Sequence, residues 1–490
     1  MVSTAKNTFY LLIAYVYQKL VALLYFIFLA RFLGADNFGK YTFALSFAAL
    51  FSVLIDFGLL PVLTREVARN KEKTQEYFSS ILGFCLLAGI IIFAFSALII
   101  NLMGYPPVTS YLVYLTTLVI LLDTLALVFY FIFRGHLNTK YEALGIVIHK
   151  TVMLIVGLFL IHLKVNLLLM VLPLLMASIF YLTNAVFFVK KKLKLKLIPK
   201  LDQKILKPLL KISWPFFIAA CFAKLYSTSD TILLSYLAGD KAVGLYSAAL
   251  KLINAFLLLI AGSLSSALYP ALSYYFIRSK EEMVKLFSQA VLYLMIIVIP
   301  LVLGLLILSK QIILFIYGPE YAPAILILII LSLSIPFMFL DFIFVSLFNA
   351  CEKQKKNTLI HGLGTIIFIV LNLILIPILG HYGSALAVFF GFIIIFCLEI
   401  FYTRKIIKID KNHLFKKIGL IFFSSLIMAL IIFLIKEKIH LIFSCLIGIL
   451  VYFVAVYSFN LVKKKDLDFI KEIINFRSIF IKTESKENKL

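Results

Sequence analysis

Apolar residues run along this chain in long stretches, each closed by a short polar and mostly basic break. A helix needs about 20 apolar residues to cross a hydrocarbon core of about 30 Å. In the first half, stretches of that length fall at 8–32, 41–64, 78–101, 110–133, 144–163 and 166–189. In the second they fall at 209–237, 244–274, 284–308, 324–349, 356–377 and 382–404, and two more at 415–435 and 439–461 close the set. The pattern predicts an all-α polytopic membrane protein of about 14 transmembrane helices. No small-residue cleavage site follows the first apolar run, so that run is expected to stay as a helix.

The polar breaks carry the orientation. If the N-terminus is cytoplasmic, the inside segments and span ends hold 36 of the 47 Lys and Arg residues, and the outside segments hold 7. The positive-inside rule then places both termini on the cytoplasmic side of the cell membrane. Composition agrees: 63% of residues are hydrophobic and 14% charged, against about 45–50% and about 25% in soluble domains. The formal net charge of +24 is accounted for by basic loops, with no continuous basic face of the kind nucleic acid needs. The five cysteines form no Cys-x-x-Cys and the seven histidines no metal-ligand spacing, so neither a metal nor a cofactor is expected.

The halves resemble each other. At an offset of 205, Lys19-Leu20 falls on Lys224-Leu225 and Gly39-x-Tyr41 on Gly244-x-Tyr246, while Asp36 falls on Asp240 at 204. At an offset of 215, residues 133–147 fall on 348–362, with Phe133 on Phe348 and Lys140 on Lys355. These matches predict two pseudo-symmetric six-helix lobes, 1–189 and 209–404, joined by a basic linker at 190–208. Two extra spans at 405–461 and a basic cytoplasmic tail at 462–490 follow, and 468–481 within the tail has the pattern of a short surface-lying helix. The lysine-rich linker is expected to sit at the cytoplasmic face, against anionic lipid.

Four segments resemble the polysaccharide-biosynthesis, or O-antigen, flippase family of the multidrug/oligosaccharidyl-lipid/polysaccharide exporter superfamily. They are ARFLGADNFGKY (30–41), DFGLLPVLTREVAR (56–69), FRGHLNTKYEALG (133–145) and ILGHYGSALA (378–387). The resemblance covers roughly the first 12 spans and is carried by the set of segments together. It implies two six-helix lobes plus two helices, and movement of a polyprenyl-linked glycan across the membrane by alternating access.

Charged residues inside the spans are the candidates for chemistry, since each costs at least about 2.5 kcal/mol to insert. Lys19 and Lys224 sit near the middle of the first span of each half and coincide under the repeat. They are expected to bind the phosphate or pyrophosphate of a lipid-linked sugar; the competing reading pairs each with a carboxylate of its own bundle. Arg31, at the outer end of the first span, is a third candidate for the head group. Among the acids, Asp123, Asp56 and Asp341 are candidates for coupling to H⁺ or Na⁺, and Asp123 lies nearest a span centre. Arg65, Glu66 and Arg69, placed at the loop after the second span, are candidates for an inner gate.

GADNFGKY (34–41) has P-loop-like spacing, but Tyr41 stands where Mg²⁺ binding needs Ser or Thr, and both flanks are membrane helices. No catalytic constellation is placed, so the chain is expected to be a transporter and no enzyme, acting as a monomer on a lipid-linked glycan among membrane lipids. The alternatives within the superfamily are a cation-coupled multidrug antiporter, which calls for an acidic and aromatic cavity, and a lipid II flippase. A membrane glycosyltransferase would need a large external loop, and the longest here is roughly 309–323.

Overall fold

The computed structural model describes residues 2–407, 411–459 and 461. The surface helix expected at 468–481 lies outside the described residues. Among the described residues fourteen α-helices follow one another: α1 (Val2–Asp56), α2 (Leu59–Arg69), α3 (Thr74–Leu102), α4 (Pro107–Gly135), α5 (Lys140–His162), α6 (Leu172–Phe188), α7 (Gln203–Ala238), α8 (Asp240–Arg278), α9 (Lys280–Ile316), α10 (Ala324–Ala350), α11 (Gln354–Leu379), α12 (His381–Thr403), α13 (Lys411–Ile435) and α14 (Leu441–Ser458). No strand occurs among the described residues.

Helices and crossings do not map one to one. At 55 residues α1 is one element in name, but Gly34 leaves helical geometry at φ 72°, ψ 172°. At 1.5 Å per residue it is about 82 Å long, enough for two crossings. The loop expected between the first two spans is therefore a break at a single residue. With α2 prolonging the second crossing past Phe57 and Gly58, and α3 to α14 supplying one crossing each, the helices account for the predicted 14.

The lipid-facing surfaces read as such: Ile90, Leu98 and Leu102 on α3, and Phe453 and Tyr457 on α14, are exposed apolar side chains. Apolar side chains gain nothing from burial when the solvent is itself hydrocarbon, so packing and small-residue contacts hold the helices together.

The chain divides into two compact units, Met1–Ser247 and Ala248–Leu490. In the first, α1 packs on α4, α5 and α7, α3 on α4, and α5 on α6. In the second, α9 packs on α10 and α13, α10 and α11 on α12, and α13 on α14.

The repeat is visible in backbone geometry. Gly34 and Gly239 break their helices in the same conformation, φ 72°, ψ 172° and φ 85°, ψ 171°. Their offset is 205 with no insertion, so Asp240 corresponds to Ala35 and the expected pairing of Asp36 with Asp240 is off by one residue. Asp36 instead pairs one turn on with Lys40, at 2.6 Å. Five residues past each break stand Gly39 and Gly244, which face each other. A methyl on Gly39 would lie 1.7 Å from the carbonyl oxygen of Asp240, and one on Gly244 would lie 1.8 Å from that of Ala35. The matched tyrosines follow: Tyr41 shares a hydrogen bond with Tyr25 at 3.2 Å, and Tyr246 donates to Asp230 at 2.6 Å, each across 16 residues.

The second match holds as well. Leu137 and Glu352, 215 apart, are non-glycine residues at φ 53° and 57°. The next amide in each case, Asn138 or Lys353, donates 2.8 Å back to Phe133 or Phe348. Both turns are left-handed helix ends closed by a six-to-one hydrogen bond.

The glycine contact carries a prediction. Gly39→Ala and Gly244→Ala each drive a methyl into backbone that has no rotamer to yield, so each is expected to cost about 1–3 kcal/mol. A thermal melt in detergent checks it against Gly304→Ala, where nothing lies within 4 Å of the added carbon. Equal melting of all three would contradict the contact.

The basic linker is tied down. Lys196 N–H donates to Gln75 Oε1 at 2.8 Å, Gln75 Nε2 donates back to the Lys196 carbonyl at 2.9 Å, and Lys200 N–H donates to the Ser79 carbonyl at 2.9 Å. Gln75, Ser79 and Gly83 lie one turn apart on α3, and Gly83 has no side chain to hold Lys200 away. Leu193, Leu195 and Leu197 turn into the apolar core, while the lysine before each, Lys192, Lys194 or Lys196, is exposed. Val189–Leu193 forms a π-helical turn that ends at Lys194 in the left-handed region, and beyond it the chain leaves helix with side chains alternating between core and surface.

Candidate functional site

The polar interior of the first unit centres on α4 and α5, next to α1. Arg134 is near the end of α4 and Glu142 in the first turn of α5, and the tight turn at Leu137 brings them together. Arg134 Nε donates to Glu142 Oε2 at 2.7 Å and its Nη2 to Tyr15 Oη on α1 at 2.9 Å. The guanidinium lies 3.9 Å over the ring of Phe131. Glu142 is 1% exposed while the Arg134 side chain is 28% exposed, so the carboxylate is out of water and depends on the guanidinium that covers it.

Two turns deeper, His149 Nε2 stands 3.6 Å from Asp123 Oδ1. Both atoms are buried and neither has a hydrogen-bond partner in the protein. Lys150 acts electrostatically on Asp123, and Lys19 on Lys150. These groups line, or in the case of Lys19 adjoin, a cavity of about 350 Å³ whose wall includes Tyr15, Gln18, Asp123, Arg134, His149 and Lys150. The paired charges Arg134/Glu142 and Lys150/Asp123 balance, and Lys19 is the surplus cation beside them.

Lys19 and Lys224 keep their match in the fold. Each stands 15 residues before its break glycine, about 22 Å along the helix. Lys19 is exposed on α1 and Lys224 half-buried on α7. Their surroundings differ. Lys224 senses the carboxylate of Asp56, which closes α1 and faces the amide of Gly58 at 3.5 Å. The carboxylate partner weighed for the lysines thus has a counterpart near Lys224, while the charge near Lys19 is the cation Lys150. Arg31 is exposed on α1, three residues before Gly34.

Arg65, Glu66 and Arg69 lie within α2, since the helix runs to Arg69. The loop begins at Asn70, five residues later than expected at Arg65, and the charges of the three residues pair along the helix. Arg65 reaches Glu66 Oε1 at 2.7 Å, and Arg69 reaches the same oxygen at 3.7 Å. One carboxylate is thus clamped by two guanidinium groups.

In the second unit Asp341 on α10 meets His361 on α11, Nε2 to Oδ1 at 3.4 Å. Glu399 on α12 completes the group. Asp341 and Glu399 both stand out in the sequence as acids inside apolar runs, but His361 and Glu399 are 20 and 58 residues from Asp341, and no local spacing joins the three. His149 and the Arg134–Glu142 pair were also missed, although Arg134 and Glu142 both fall in the segment FRGHLNTKYEALG.

Comparison with known proteins gives concordant findings. The family model described as polysaccharide biosynthesis protein matches residues 4–276, and that described as MatE matches 215–374. The probable low-salt glycan biosynthesis flippase Agl15 of Haloferax volcanii is 23% identical over 455 residues, covering 91% of this chain and 94% of that protein. The capsular polysaccharide biosynthesis protein CapF of Staphylococcus aureus is 24% identical over 406 residues, covering 81% and 99%. Among solved structures, lipid II flippase MurJ in an inward closed conformation superposes with a TM-score of 0.76 at 21% identity, covering 91% of this chain and 98% of that one. At that identity the likeness speaks for the fold.

Proposed function

Because the chain belongs to the polysaccharide biosynthesis protein family, we propose that it is a flippase. It moves a glycan linked to a polyprenyl phosphate or pyrophosphate from the cytoplasmic to the outer leaflet of the cell membrane by alternating access. The names of Agl15 and CapF support a glycan-related role. The observation that carries the reading is the pair Lys19 and Lys224, two cations at equal distance from matched helix breaks. A lysine inside a span is retained against its insertion cost when an anion uses it, and two such lysines can share one pyrophosphate as point charges on flexible stems.

In this proposal the lobes are 1–189 and 209–404, both termini are cytoplasmic, and the monomer is the working unit. Arg31 meets the head group near the outer face. Asp123, with His149 beside it, takes the coupling proton or Na⁺. Asp56 offsets the charge of Lys224 from a distance when the phosphate is absent, and Arg65, Glu66 and Arg69 close the inner side. The chemistry lies in binding and release, with no covalent step.

A binding measurement separates this reading from the antiporter. A fluorescent polyprenyl-pyrophosphate oligosaccharide is expected to bind the purified protein, more weakly as salt rises, since exposed charge pairs are screened. The same lipid as a free polyprenol is expected to bind poorly. Equal binding of the uncharged polyprenol, or displacement of the glycolipid by a cationic dye, would point to the antiporter.

A further inference from the structure

We propose that Asp341, His361 and Glu399 form a binding site for a divalent transition-metal ion of the zinc class. The three residues come from α10, α11 and α12, and each offers one donor atom, all within 4.8 Å of one another. Glu399 is 0% exposed, and apart from the Asp341 carboxyl beside it neither of its carboxylate oxygens has a hydrogen-bond donor; Asp341 Oδ1 likewise has none. One turn from His361 on α11 stands Asn357, and one turn from Glu399 on α12 stands Thr403. Their side-chain oxygens are likewise buried and unpartnered. Residues four apart share a helix face, so further oxygen donors are carried on the same sides of α11 and α12.

Two carboxyls in a dry interior can stay ionised together only beside a compensating positive charge; otherwise they hold a proton between them. Among the described residues no Lys or Arg nitrogen lies within ion-pair distance of either. The corresponding place in the first unit shows the contrast. There too an acid on the fourth span meets a histidine on the fifth, Asp123 with His149. Under the 215 offset, Asp341 and His361 each lie three residues, about one turn, nearer the connecting loop than their counterparts. The first-unit pair has the charge of Lys150 beside it. The second-unit group has a second acid, Glu399 of α12, and no such cation, so a bound metal ion would supply the charge that keeps both acids ionised.

The donor set selects the ion class. Imidazole nitrogen with carboxylate oxygens suits zinc and its neighbours, whereas Ca²⁺ and Mg²⁺ favour all-oxygen shells. The His361 side chain is 36% exposed, which leaves a way in and room for a water ligand. A metal held here would fasten α10, α11 and α12 to one another. The inference stands apart from the transport reading and can fail without it.

The test uses the full chain without an affinity tag, stripped of metal in detergent and titrated with Co²⁺ as a spectroscopic probe. One Co²⁺ per chain is expected, with visible d–d absorption. Glu399→Gln and His361→Gln are each expected to weaken binding by about tenfold or more, while His162→Gln, exposed at the end of α5, leaves it unchanged. His361→Cys gives a positive signal independent of loss: a thiolate-to-Co²⁺ charge-transfer band in the near ultraviolet. Absence of saturable Co²⁺ binding by the wild type, as a proton shared between the carboxyls would produce, overturns the site. So does binding of unchanged strength in both Gln variants, or a Cys variant that binds Co²⁺ without the charge-transfer band.

Discussion

Replacing Lys19 and Lys224 together by Gln is expected to remove glycolipid translocation while leaving expression and melting temperature close to wild type. Gln keeps the length and polarity of each arm and deletes the charge. In the absence of substrate, neither ammonium makes a close ion pair among the described residues, so little folding energy is lost with it. The single variants are expected to differ. Lys224 senses Asp56, and its loss also frees that carboxylate. Lys19 has another cation, Lys150, in its field, so its loss relieves repulsion. Each single variant should keep partial transport, with Lys224→Gln the more damaging. A double variant that transports normally would assign both lysines to topology.

Arg134→Met is expected to be the most destabilising single change, by about 3–5 kcal/mol, the cost of leaving one member of a buried pair behind. Glu142, 1% exposed, would lose two hydrogen bonds and its counter-charge, and Tyr15 would lose its donor. Adding Glu142→Met should recover most of the loss, because an apolar pair of similar volume is often neutral or better than a buried ion pair. The coupling between the two changes, read from a double-mutant cycle in detergent, is the measured quantity. A single variant that melts with the wild type would mean that water reaches Glu142.

What the sequence made legible follows from the solvent. A bilayer admits only helices and closed barrels, and runs of about 20 apolar residues fit the helix alone, so apolar runs and basic breaks were enough to count crossings. The Gly39 and Gly244 match was legible because backbone packs on backbone there and tolerates no side chain. One residue of the alignment was wrong at Asp36, where shared charge suggested an equivalence that the break glycines contradict. The second crossing was ended too early at Arg65, since three charges read as loop when they in fact pair along α2.

The groups assembled across helices were not legible. Asp341 stood out as an acid in an apolar run, but nothing in 350–403 tells which turn of α11 or α12 faces it, because those helices are apolar on nearly every side. The same holds for His149, whose partner Asp123 lies on another helix. The seating of the linker on α3 depends on Gly83 and on a paired exchange with Gln75, and neither has a signature in the lysine run itself.

The most direct test of the central claim is translocation of a fluorescent polyprenyl-pyrophosphate oligosaccharide by the wild-type chain in proteoliposomes, with a cationic dye offered in parallel under an imposed H⁺ or Na⁺ gradient. The flippase reading predicts that the glycolipid changes leaflet and the dye stays. Export of the dye with no movement of the glycolipid would contradict it and make the chain an antiporter.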